Sequence, residues 1–156
     1  MNGYKIQALQ SAPRIVERIL RVFPHDRLDD RIDADRYTAR EVVAHLADFE
    51  QTILDRIRVA HHTPGREVPT YDPDAQALQH HFGDKEVFHE AEVFESRRGM
   101  TLDFIHGLTK EDMAKTFVRD GETFTIESYL DLTIAHDIQH LEQISSYLAT
   151  EVATIS

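Results

Sequence analysis

Apolar residues recur at three- and four-residue intervals in four long segments of the chain. That period lays a hydrophobic stripe along one face of an α-helix. In the first segment, Tyr4 to Phe23, the stripe is Ile6, Leu9, Ala12, Val16, Ile19, Leu20 and Phe23. Pro13 interrupts it and predicts a kink or a first helical turn, because proline lacks the N–H and clashes with the preceding turn. The second segment opens on the clearest start signal in the chain. In YTAREV, Thr38 stands as N-cap and Glu41 completes a capping box, with Tyr37 and Val42 at the staple positions. This helix is predicted from Ala39 to about His61, with Val42, Leu46, Phe49, Ile53, Ile57 and Ala60 as its stripe. The third, from about Asp84 to Leu108, carries Val87, Ala91, Phe94, Leu102, Ile105 and Leu108. Arg98 falls inside that stripe, where a charge needs a partner. The fourth is predicted from Ile126 to about Thr150, capped by Thr125.

Between these segments the pattern breaks. FPHDRLDDRIDADRY reads as a connection. TPGREVPTYDPD, with Pro64, Gly65, Pro69 and Pro73, reads as a long loop of the kind that forms a binding loop or lid. LTKEDM is a second helix-start signal, good for one short turn. KTFVRDGETFTIE alternates about Asp120-Gly121 and predicts a short hairpin. The expected fold is all-α: one domain over residues 1–156, a four-helix bundle with a short hairpin before the last helix.

Composition narrows the chemistry. The chain has 156 residues, no cysteine and a formal net charge of −11. Without cysteine it can offer no disulfide, no thiolate ligand and no nucleophilic thiol, so the sulfur for any thiol chemistry must arrive with a co-substrate. The acidity argues against a nucleic-acid partner, since backbone binding depends on neutralising phosphates. No apolar run reaches the length of a membrane span, and no secretory signal is visible, so the expected place is the cytoplasm. No Gly-rich phosphate loop and no serine in a nucleophile elbow are present.

Ten histidines are the unusual feature. His136 and His140 stand four apart in IAHDIQHLEQISSYL, but ten histidines placed at random give about 0.6 such pairs, so spacing alone decides nothing. Position says more. Both lie on the face shared with Tyr129, Thr133, Ile144 and Tyr147, toward the bundle interior or its edge, where an unpartnered imidazole is costly. Carboxylates or backbone carbonyls could satisfy them as core histidines; a metal would satisfy both at once. His45, at the edge of the second helix's stripe and on the flank of Asp48 and Thr52, is the best third ligand. His25, His61, His62, His80 and His81 fall in loops or at helix ends, and His89 and His106 lie off the third stripe. All of these read as surface residues.

YTAREVVAHLADFE and IAHDIQHLEQISSYL resemble the two signature helices of the DinB-like (DinB/YfiT) family. So do the order and spacing of the elements between them, and the His-x-x-x-His-x-x-Gln form ending at Gln143. The resemblance implies a four-helix bundle with a divalent metal held by three histidines, which carry over to His45, His136 and His140. It also implies a thiol-dependent transferase or isomerase, or a metal-dependent hydrolase, acting on a small molecule, and a possible homodimer.

Three neutral imidazoles leave a divalent ion its full charge and an open position. Zinc, nickel, iron or copper would suit them. The first expectation is a transferase joining a low-molecular-weight thiol to an electrophile. A metal-dependent hydrolase and a non-catalytic metal-binding or stress-response module are the alternatives. Asp48 and Asp137 are the nearest carboxylates by sequence. Either could fix the tautomer of a ligand histidine, and Asp137 could instead pair with Arg98. Glu50 and Glu142 read as solvated, and Tyr129 and Tyr147 as core. HDIQH as a variant of the zincin H-E-x-x-H helix carries little weight, because aspartate is shorter than the general-base glutamate.

Overall fold

The computed structural model describes residues 1–31 and 36–155, with side-chain surroundings through Leu148. The connection predicted over residues 23–37 includes 32–35, which lie outside the described residues. Four long helices carry the fold: α1 (Gly3–Val22), α2 (Ala39–His62), α4 (Val87–His106) and α6 (Ile126–Ile155). Short elements join them: β1 (Arg66–Glu67), α3 (Pro73–Gln79), α5 (Lys110–Met113), β2 (Thr116–Arg119) and β3 (Glu122–Thr125). Both α1 and α2 pack on α4 and α6, so the bundle alternates around its axis rather than running in chain order.

The start signals act as expected. Thr38 Oγ1 accepts from the Glu41 N–H while Glu41 Oε1 accepts from the Thr38 N–H, which fixes the first turn of α2. Thr125 and Ser128 exchange the same reciprocal pair at the start of α6. The hairpin forms with Thr116 opposite Thr125 and Arg119 opposite Glu122, and both turn residues, Asp120 and Gly121, have positive φ. That is the backbone a two-residue hairpin turn with the strand twist requires.

Two expectations are corrected, and of the two readings of Pro13 the first-turn one is excluded. The proline-rich segment is not all loop. Asp72 caps α3 through the N–H groups of Asp74 and Ala75, with Pro73 in the first turn, and Arg66–Glu67 pairs in parallel with β2. The third helix begins at Val87 rather than Asp84, because Glu86 caps it and Phe82–Asp84 forms a separate 3-10 turn. Pro13 lies inside α1. The Leu9 carbonyl that proline cannot pair instead accepts from Arg98 Nη1 at 2.8 Å.

Two apolar clusters fill the interior. One gathers Val16, Leu20, Val43, Phe94 and Tyr147; the other gathers Leu9, Ile57, Phe117, Ile126 and Leu130. A buried polar layer divides them. On α2 it falls between Ala47 and Ile53, on α4 between Phe94 and Ile105, and on α6 between Leu130 and Ile144. At its centre Arg98, 1% exposed, holds two carboxylates, each through two hydrogen bonds. Glu50 accepts at 2.9 and 2.8 Å and Asp137 at 2.8 and 3.0 Å. Glu50 is therefore buried, not solvated as its residue type suggests. It also accepts from Thr101 Oγ1 at 2.8 Å. Burial holds the Glu50 and Asp137 carboxyls above the usual carboxylate range, against the pull of Arg98.

Candidate metal centre

The histidines lie at the edge of that polar layer. The capping box sets the start of α2, and His45 follows one and a half turns later, 3% exposed. His136 and His140 occupy successive turns of α6. Their rings converge: centroids are 5.3 Å apart for His45 and His136, 4.7 Å for His45 and His140, and 4.4 Å for His136 and His140. The Nε2 atoms face one another, with His136 Nε2 lying 3.2 Å from that of His45 and 3.1 Å from that of His140.

This donor set fits a divalent transition ion. Two metal–nitrogen bonds of about 2.0–2.1 Å at a tetrahedral angle place their nitrogens about 3.3 Å apart. Without a cation, the facing lone pairs would need ring protons between them, either one on His136 Nε2 shared with the other two rings or one on each of the His45 and His140 Nε2 atoms. The far nitrogens of His45 and His140 favour a proton on Nδ1. His140 Nδ1 donates to Gln143 Oε1 at 3.0 Å. Tyr71 donates its hydroxyl proton to Asp48 Oδ2 at 2.8 Å, which leaves its oxygen to face His45 Nδ1 at 3.4 Å. With Nδ1 carrying the proton, the Nε2 lone pair is free to bind. His136 Nδ1 is buried with no hydrogen-bond partner among the described residues.

All three rings are held neutral. Burial first, then the other two imidazoles, pushes His45 down to about 2. Burial, His140 and Arg98 push His136 to about 3. Burial lowers His140 as well, with Gln143 and Asp137 pulling the other way. A cluster of deprotonated imidazoles suits a cation and repels a proton. The phenols beside them also stay uncharged. Burial raises Tyr71, reinforced by Asp48, and pushes Tyr37 up to about 12.

The two carboxylates weighed from sequence part company. Asp48 reaches the site only through Tyr71, and its other oxygen lies 2.8 Å from His80 Nδ1, which ties that exposed histidine to α2. Asp137 turns away from the histidines to Arg98, so it does not serve HDIQH as a zincin base would. Glu142 is exposed, as are His62, His81, His89 and His106. Tyr129 and Tyr147 are core residues, 2% and 1% exposed.

Sequence reading missed Tyr71, which arrives on the β1–α3 segment. The Val68 N–H bonds to the Val118 carbonyl and the Gly65 N–H to the Thr116 carbonyl, so the hairpin anchors this segment over the bundle end. It also missed Arg56, 3% exposed, whose Nη1 donates to Tyr129 Oη at 2.9 Å and Nη2 to the Pro69 carbonyl at 3.0 Å. A signal existed, because Arg56 stands three after Ile53 and four before Ala60, inside the stripe. The three histidines open onto a cavity of about 310 Å³ walled also by Phe49, Tyr71 and Arg56. A second cavity of about 490 Å³ adjoins it across Tyr37 and His140.

A model of the DinB superfamily matches residues 8–144. The chain belongs to the DinB superfamily. Two solved structures share its fold. YfiT from Bacillus subtilis, described as a probable metal-dependent hydrolase with an unusual four-helix bundle topology, superposes with a TM-score of 0.86 at 20% identity, covering 96% of this chain and 90% of that one. A DinB-like protein from Bacillus subtilis, YjoA, gives 0.65 at 15% identity, covering 96% and 92%. No curated protein matches this DinB-superfamily chain. None of its helices is long and apolar enough to cross a membrane, among the described residues.

Proposed function

We propose that this DinB-superfamily chain is a metal-dependent enzyme in which His45, His136 and His140 hold one divalent transition ion beside a small-molecule cleft. The observation that carries this is that His136 Nε2 lies 3.1–3.2 Å from the Nε2 atoms of both His140 and His45, beside a cavity open to solvent. When bound, the ion supplies a positive charge that favours the anionic form of a coordinated thiol or water.

The chain's own groups set up that chemistry. The ligands are neutral, and the groups facing their outer nitrogens, Tyr71 and Gln143, are neutral as well, so the full charge of the ion is left to act on a substrate. Phe49 stacks on the His45 ring at 5.7 Å and lies 4.8 Å from the ring of His136, which holds both imidazoles and keeps that wall apolar. Tyr71 and Asp48 fix the tautomer of His45. Among the described residues, no carboxylate hydrogen-bonds a ligand histidine. Asp48 is held by Tyr71 and His80, and Asp137 by Arg98. This favours transfer of a low-molecular-weight thiol to an electrophile, because a thiol is acidic enough to ionise at a cation without a dedicated base.

Metal-dependent hydrolysis is the second reading, supported by the description of YfiT. Turnover of an electrophile by the zinc- or nickel-loaded chain, with and without a panel of cellular thiols, separates the two. Thiol-dependent product supports transfer. Product formed in water alone supports hydrolysis. Absence of both from a loaded protein would reject an enzyme.

A further inference from the structure

The described residues hold one buried guanidinium that no carboxylate neutralises. Arg56 projects from α2 with its Nη1 and Nη2 bonded to neutral oxygens, while its Nε is buried and has no hydrogen-bond partner among the described residues. The buried carboxylates of α2 and α6, Glu50 and Asp137, are both engaged by Arg98. A lone buried charge is costly, and a protein keeps one where a ligand supplies the opposite sign.

Arg56 lines the same 310 Å³ cavity as the three histidines, and so does a second cation. Arg119, the last residue of β2, lays its Cζ 4.7 Å over the Phe124 ring, and its guanidinium forms no hydrogen bond or ion pair with any described residue. Phe124 packs on Tyr129, the residue that Arg56 bonds, so one aromatic wall carries both guanidinium groups. The acidic residue at this rim, Asp120, accepts from Thr70 Oγ1 through Oδ1. In a chain of net charge −11, two such arginines beside one cavity stand against the overall field.

We infer that Arg56 and Arg119 form an oxyanion subsite beside the three histidines, which receives the carboxylate or phosphoryl group of the substrate. Arginine suits this because its planar fork matches both oxyanions and stays charged when dehydrated. Arg56 is the fixed member, packed under Phe49 and Tyr129. Arg119 is the less constrained one, able to close on a bound anion from the hairpin. The subsite then orients a small anionic electrophile with its reacting end toward the histidines. This rests on reading the cleft as a substrate site, but its test does not depend on the metal.

The test uses full-length, metal-free protein with ¹⁵N-labelled arginine, titrated at constant ionic strength with inorganic phosphate and, separately, acetate. The Nε–H signals are assigned with Arg56→Lys and Arg119→Ala. Saturable shifts of both signals with either anion are expected. Arg119→Ala should weaken binding by about 10- to 100-fold, the range for a lost charge-assisted hydrogen bond. A response to phosphate alone assigns a phosphoryl substrate, and a response to acetate alone a carboxylate. Absence of saturable shifts with both, or unchanged affinity in Arg119→Ala, would overturn the subsite. Arg119 is not buried, so this variant remains informative if Arg56→Lys fails to fold. Metal content is measured on the same preparations, so failure of the subsite and failure of the metal site are read separately.

Discussion

Asp137 follows His136 directly in the chain, yet its carboxylate leaves the histidine cluster and meets Arg98 through two hydrogen bonds of 2.8 and 3.0 Å. The helical turn that aims His136 at the cleft aims its neighbour at the bundle axis. The same guanidinium takes Glu50 from α2 and the carbonyl that Pro13 frees on α1. One side chain thus ties all four long helices at the level of the site.

Removing that tie should be expensive. Arg98→Met leaves two buried carboxylates without a counter-charge, for a loss of about 3–5 kcal/mol in urea unfolding. Burial already holds both carboxyls above the usual range, and without Arg98 they rise further. The folded variant then binds more protons than the unfolded chain, so its deficit relative to wild type should shrink from pH 7.5 to pH 5. A deficit that grows on acidification would contradict this arrangement.

Metal-free wild type should respond to pH through the histidines. Their folded-state values lie below the ordinary 6.5, at about 2 for His45 and about 3 for His136, with His140 lowered too. The unfolded chain takes up the protons first, so stability falls as pH drops below 6.5 and goes on falling toward the folded values. Three such groups give a loss of up to about 4 kcal/mol between pH 7.5 and 5.5. Urea denaturation at the two pH values measures it. His45→Ala, with one neutral imidazole fewer, should show a smaller loss.

Tyr71→Phe removes the hydroxyl between Asp48 and His45 and leaves the ring. Metal affinity should fall by about 10- to 100-fold, as when an outer hydrogen-bond partner of a ligand histidine is lost. Competition with a chromophoric chelator reads this. Equal affinity would show that Tyr71 does not hold the tautomer of His45.

Much of this was legible in the sequence, for local reasons. A capping box, a turn with two positive-φ positions and a 3.6-residue period each act within a few residues, so α2, the hairpin and the four-helix plan could be read directly. Helical faces made His45, His136 and His140 candidates, and the DinB-like resemblance joined them as one ligand set. What escaped depends on partners far along the chain. Glu50 stands four after Leu46 and three before Ile53, so its position announced burial while its residue type argued for solvent, and only Arg98, 48 residues on, reconciles the two. The Asp72-Pro73 start of α3 was a readable signal hidden among prolines that suggested loop. Tyr71 had no readable signal, since the parallel pairing of β1 with β2 brings it to the site.

Thr38→Ala tests how firmly the first turn of α2 positions His45. Loss of one cap should lower stability by about 1 kcal/mol. Metal stoichiometry should hold, because His45 lies beyond the frayed turn. Loss of metal with that variant would tie the site to the cap itself.

The most direct test is elemental analysis of the full-length chain after zinc or nickel loading and gel filtration. Wild type and His89→Ala, altered at an exposed position, should each carry one ion per chain. His45→Ala and His136→Ala should carry essentially none while keeping most of their helical circular dichroism. Full metal content in either of these two variants would contradict a centre built on the three histidines.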